Sequence, residues 1–383
     1  MSKLKVATPT EDAPVTMLEL FFDLVFVFSV TQLTTLILVS GGWEGYGRAA
    51  LVLMVTWWMY AGYAWLANNV GPNTVSTRLP MLGAMACFLV MAIAVPQAFG
   101  SGAWLFAIGY LLVVLVHAFS FARSTLGGSA AAIRTILPVN LGTALLLVLA
   151  AIVGGRWAWV CWVAACLILA LSVVRTGESG FSVRTGHFVD RHQLLVIIAL
   201  GETIIATGVS AQGQLTHLDV LAAVLLSILV ISCLWWVYFG SGDDEAGLRA
   251  LDEVPERQRT VVGMRGYSLS HLIHIAGLVL VAVGLHEVVN HPGRHLTWAF
   301  AVTLSAGCAL YLLGEVAFRR FLHLGTVSGH LLAAVACLAV AVVGVTVNGA
   351  IQLLALGVVL LALLLSGWSG SSGRSDRQDA SPA

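Results

Sequence analysis

Along this chain the apolar residues neither alternate nor stay on one helical face. They fill whole stretches of about 20 residues, the length an α-helix needs to cross a hydrocarbon layer of about 30 Å. Twelve such runs follow one another, approximately at residues 17–39, 48–67, 79–99, 103–122, 136–153, 157–174, 188–208, 218–239, 267–289, 297–317, 327–347 and 350–366. The pattern predicts an all-α fold, a polytopic membrane bundle of about twelve transmembrane helices. Polar stretches between the runs are short and leave no room for a soluble domain. The longest, residues 240–266, mixes acids with arginines and predicts a short surface helix broken at Pro255. A tail at residues 1–16 precedes the first run, and a tail at 367–383, rich in Ser, Gly, Arg and Asp, is expected to lack structure. The first run carries carboxylates and no small-residue cleavage site, so it is expected to be a retained helix and not a signal peptide.

Composition agrees: 59% of the residues are hydrophobic and 10% charged, against about 25% charged in soluble globular chains. A soluble enzyme and a nucleic-acid binder are both excluded, and the lipid bilayer is the first partner. All six cysteines (87, 161, 166, 233, 308 and 337) fall inside apolar runs, which argues for packing roles over a disulfide framework or a loop zinc site. The abundance of Arg over Lys, with much Ala, Gly and Val, suggests a GC-rich bacterial genome. Charge also gives an orientation. If the twelve runs alternate in direction, only Arg48, Arg156 and Arg294 fall on the side away from the N terminus, and every other Lys and Arg falls on the N-terminal side. The positive-inside rule then places both termini in the cytoplasm of a bacterial inner membrane.

The runs repeat. Trp57-Trp58-Met59-Tyr60 of run two matches Trp235-Trp236-Val237-Tyr238 of run eight, and run four (Trp104, Phe106, Phe121, Arg123) matches run ten (Trp298, Phe300, Phe318, Arg320). Runs one and seven each enter with an acid, Glu19 and Asp190, before an aliphatic stretch. The interval of six runs is even, so two six-helix repeats, residues 17–174 and 175–366, would point the same way, an arrangement found among transporters. Aromatic belts at the two membrane interfaces would also place Trp and Tyr there.

Against this background the ionisable residues inside the runs stand out, because charge in a bilayer is costly and usually sits beside a partner or in water. Glu19 and Asp23 lie four apart, hence on one helical face. Asp190, Arg191 and His192 open run seven, where a solvated cluster at the cytoplasmic mouth is the ordinary expectation. Glu202 lies past the middle of run seven, about 21 Å from its start at about 1.5 Å per residue, after a Gly that permits close packing, and is expected to face the interior. Tyr267, His271 and His274 open run nine with both imidazoles on one face, fit to relay protons, to bind metal or to serve as hydrogen-bonded structural groups. His117 and Glu315 lie within about two turns of Arg123 and Arg319, so local ion pairs are expected for both. His286-Glu287-Val-Val-Asn290 is not a zinc-protease motif, because Asn290 stands where the second His is required.

The Glu19-Leu-Phe-Phe-Asp23-Leu-Val-Phe-Val-Phe opening, the segment from Asp190-Arg-His-Gln to Leu-Gly-Glu202, and Tyr267-Ser-Leu-Ser-His271 together resemble the bacterial low temperature requirement A family over residues 15 to 365. In that family Glu is usual where Asp190 stands, Ser where Thr203 stands, and often Asp where this chain has Gly240. The resemblance implies a link to growth in the cold but no defined biochemical activity. The residues themselves point to a secondary transporter, or its close variant a channel, for a small solute or ion. Its pathway would draw on Glu19, Asp23, His117, Asp190, Arg191, Glu202, His271, His274 and Glu315. No cofactor is predicted, metal binding is left open, and a homo-oligomer is compatible. The alternatives are an intramembrane enzyme acting on a lipid or apolar substrate, with His271 and His274 as ligands or acid/base groups, and a structural or sensor protein for growth in the cold.

Overall fold

Helix α1, Met17–Ser40, begins at a Thr16 cap. The Thr16 hydroxyl accepts from the Glu19 N–H at 3.4 Å and the Glu19 carboxylate accepts from the Thr16 N–H at 2.7 Å, a reciprocal capping box. The computed structural model describes residues 15–70, 74–123, 127–175, 183–214 and 216–378, and the N-terminal tail through residue 14 and the last five residues lie outside them. The helices that follow are α2 Gly42–Val70, α3 Val75–Ala94, α4 Ala103–Ala122, α5 Gly127–Val153, α6 Gly155–Arg175, α7 Thr185–Ser210, α8 Leu218–Phe239, α9 Asp243–Asp252, α10 Glu256–Val262, α11 Ser270–Asn290, α12 Trp298–Phe321, α13 Ser328–Thr346 and α14 Gly349–Gln378. Among the described residues there is no strand, and 12 helical stretches are long and apolar enough to cross a membrane.

The twelve spans coincide with the twelve runs, and the differences lie at their ends. Helix α5 starts at Gly127 and not near 136, so its backbone ladder reaches beyond the apolar window. Helix α14 continues to Gln378, past the apolar window that ends at Ser366; no proline stands in the way before Pro382, so a tail expected to lack structure starts as more helix. The polar stretch behaves as its sequence suggests: α9 and α10 are separate short helices, and Pro255 is the N-cap of the second. A π-helical turn, Gly263–Leu269, leads from there into α11.

Several spans are joined by almost no loop. Gly41-Gly42 and Gly154-Gly155 reverse the chain between α1 and α2 and between α5 and α6, with φ of 66°, 53°, 62° and 50°. These are left-handed conformations that glycine adopts without steric cost. Only Val347 and Asn348 separate α13 from α14.

Backbone proximity divides the chain into two compact units, Met1–Ile198 with Leu251–Ser268, and Ala199–Ala250 with Leu269–Ala383. In the first, α1 packs on α2 and α3, α3 on α4, and α5 on α4 and α6, around Phe22, Phe26, Tyr60, Tyr63 and Phe88. In the second, α11 and α12 pack face to face, α13 lies on α12, and α14 lies on α8 and α13. This division differs from the halves 17–174 and 175–366, because the start of α7 is bonded to α1 and α2.

The α11–α12 contact positions a site and is built on glycine. A Cβ at Gly277 would lie 2.7 Å from the Tyr311 nitrogen, at Gly307 2.6 Å from the Val281 nitrogen, at Gly284 2.5 Å from Leu304 Cβ, and at Gly314 3.0 Å from the His274 ring. The pairings 274/314, 277/311, 281/307 and 284/304 step in opposite directions, so the helices are antiparallel with backbones in near contact.

Candidate functional site

In the first unit the four-residue spacing of Glu19 and Asp23 on α1 meets the same spacing of His187 and Arg191 on α7. His187 Nε2 lies 3.2 Å from both Glu19 carboxylate oxygens, and Arg191 Nη2 donates to Asp23 Oδ1. Both pairs are 168 residues apart in sequence, so the two helices run parallel and form two successive rungs. The Tyr60 hydroxyl of α2 donates to the same Asp23 oxygen at 3.1 Å, and the Arg191 guanidinium lies 5.7 Å from the centre of the Tyr60 ring. Glu19, Asp23 and Arg191 are exposed by no more than 1%. Arg191 therefore does not belong to a solvated mouth: it is drawn inward by Asp23. Asp190, the residue before it, is exposed. Just before α7, Arg184 donates to the Asn68 and Ala67 carbonyls at 2.6 and 3.1 Å, closing the end of α2. Burial pulls the Arg184 guanidinium below the usual arginine range, against the opposing charge of Glu19.

The second unit holds a cluster of different composition. The Tyr238 hydroxyl at the end of α8 and His271 Nε2 on α11 are 2.7 Å apart. His274, one turn along, packs edge-on to the Tyr238 and Tyr311 rings at 5.6 and 4.7 Å. Its Nε2 lies 3.5 Å from Glu315 Oε2 on α12, and both side chains are fully buried. By strict hydrogen-bond geometry neither Glu315 oxygen and neither His274 nitrogen is paired among the described residues, while the Asp243 side chain lies within reach of Glu315 and the Ser270 backbone within reach of His274. The local pair expected between Glu315 and Arg319 is absent, because Arg319 donates to Asp243 at the start of α9 and to the Leu324 carbonyl at 3.1 Å.

His117 also departs from expectation. Its ring is buried against Gly62, Tyr63 and Phe121, and neither nitrogen has a hydrogen-bond partner among the described residues, so its contacts are aromatic and not an ion pair with Arg123. Glu202 is half-buried beside the buried Thr203. Thr203, Thr207 and Ser210 lie on one face of α7, the last 2.9 Å from His286 Nδ1 of α11. His192 bonds back to the Phe188 carbonyl at 2.8 Å. No three His, Cys, Asp or Glu residues among those described stand together as metal ligands, and all six cysteines are free.

A family profile described as bacterial low temperature requirement A protein matches residues 14–365, which takes in both clusters. The chain belongs to that family. A relative in Rhizobium meliloti, itself described only as an uncharacterized protein, is 29% identical over 322 residues, covering 79% of this chain and 76% of the relative. At Gly240, at the end of α8, the Trp236 ring fills the space a side chain would take: a Cβ there would lie 2.3 Å from Trp236 Cδ1. The indole is folded back over the helix end.

Three residues of the clusters are not among the pathway residues to which the sequence points. His187 opens the α7 motif at the same four-residue interval from Arg191 that separates Glu19 from Asp23, a matching spacing that could have paired them. Tyr60 and Tyr238 end the two Trp-Trp-x-Tyr motifs. Each is buried and hydrogen-bonded to an ionisable side chain, which an interfacial aromatic belt does not require.

Proposed function

We propose that this low temperature requirement A protein is a secondary transporter or channel of the bacterial inner membrane, moving a small solute or ion along a path of membrane-embedded carboxylates and histidines. One observation carries the reading: Asp23, Arg191, His274 and Glu315 are fully buried within helices able to span the membrane. Ionisable groups are expensive at such depth and mark ion or substrate pathways. The reading includes two parallel six-helix repeats, residues 17–174 and 175–366, with both termini in the cytoplasm. It is supported by the matching Trp-Trp-x-Tyr tyrosines, each bonded to an ionisable group of a different unit. Asp23 and Arg191 would exchange their mutual bond for the cargo or its counter-charge.

The test is flux into proteoliposomes under imposed gradients of protons, alkali cations, halides and small organic solutes. Wild-type protein should move at least one of these faster than empty vesicles, and Asp23→Asn or Glu315→Gln should slow it by about an order of magnitude. Variants that match wild type for every cargo, or wild-type vesicles no leakier than empty ones, would overturn the reading.

A further inference from the structure

The two buried clusters differ in what neutralises their carboxylates. Asp23 faces an arginine, whose guanidinium keeps its proton at any pH a protein meets. Glu315 faces an imidazole, which is a cation only when it carries an extra proton, and histidine exchanges that proton near neutral pH. The arginine one turn away is engaged by Asp243. An ionised carboxylate alone in an apolar interior is costly, so the charge on Glu315 is tied to a proton on one of two atoms.

We propose that the Glu315–His274 dyad is a proton-binding site, reached from the end of α12 where Arg319 and Asp243 stand. Side-chain exposure falls from 15% at Arg319 and 10% at Asp243 to 0% at His274 and Glu315, which sets the direction of approach. A proton leaving hydronium on that side, with water left behind, bonds to Glu315 Oε2 or His274 Nε2. The dyad then holds either a carboxylic acid beside a neutral imidazole or a carboxylate beside an imidazolium, and its charge rises from minus one to zero in both cases. The titratable groups around it are Tyr238 on α8, Asp243 on α9, His271 on α11, Tyr311 and Arg319 on α12, and His330 on α13; α14 brings none within Gly349–Ser366. Asp243 and Arg319 cancel each other, so the dyad is where the net charge changes. Gly314 leaves room for the imidazole, since any side chain there would press on the His274 ring at 3.0 Å.

This inference deepens the transport reading and depends on it only for the purpose of the proton. The experiment is infrared difference spectroscopy on the full-length protein in lipid nanodiscs, stepped between mildly alkaline and mildly acid buffer. Wild type should show a carboxylic acid C=O band that rises on the acid side. Glu315→Gln should abolish it, and His274→Asn should shift its midpoint by about 1 pH unit or more. An unchanged band in folded Glu315→Gln would overturn the proposal; if that variant does not fold, an unchanged midpoint in His274→Asn would do so. Titration of Glu315 without flux of any cargo would leave the proton site standing and remove the transport reading, and flux with an untitrated Glu315 would do the reverse.

Discussion

Asp23 and Glu315 are both buried acids, and their partners decide what each can do. Asp23 is fixed by a permanent cation and a tyrosine hydroxyl, so removing either charge leaves the other stranded in an apolar interior. Arg191→Gln and Asp23→Asn should each destabilise the protein by about 3–5 kcal/mol. The double variant should lose clearly less than the sum, as read from thermal unfolding in a mild detergent. Strict additivity would mean that the two charges are not coupled. The sequence shows both acids as anomalies in apolar runs but not their partners, because Asp23 and Arg191 are 168 residues apart and no periodicity joins them. Where a local partner was on offer, at Glu315 and Arg319, it misled: Asp243, 76 residues upstream, engages the arginine first. Ion-pair readings at a spacing of four compete with tertiary contacts that a linear pattern does not contain.

At the scale of helices, hydropathy located every span because the bilayer imposes length and apolarity on each one separately. It could not say which helix lies against which, since lipid-facing and buried positions are equally apolar. The glycines that set the α11–α12 distance are the exception, spaced seven apart on both helices as Gly277/Gly284 and Gly307/Gly314. The backbones they touch cannot give way. Gly277→Ala should therefore cost about 1–3 kcal/mol and displace His274 from Glu315. Gly83→Ala on α3, where nothing lies within 4 Å, should be neutral or gain up to about 1 kcal/mol from helix propensity. Melting curves of the two variants side by side check this, and equal losses would remove the close-packing account.

At the scale of the whole molecule, the charge bias yields an orientation that can be read without a substrate. A fluorescent protein fused after residue 383 should fold and fluoresce in the cytoplasm, and alkaline phosphatase at the same junction should stay inactive. The opposite pair of signals would reverse the topology and, with it, the side from which Glu315 takes a proton. In the second unit the Val347-Asn348 link and the stretch from His291 to Thr297 lie together at one end of the helices. The two are stitched together, Leu296 N–H to the Gly344 carbonyl at 2.9 Å and Ala350 N–H to the Pro292 carbonyl at 3.2 Å. These two bonded segments leave an added protease little free chain, so cleavage within them should be slow.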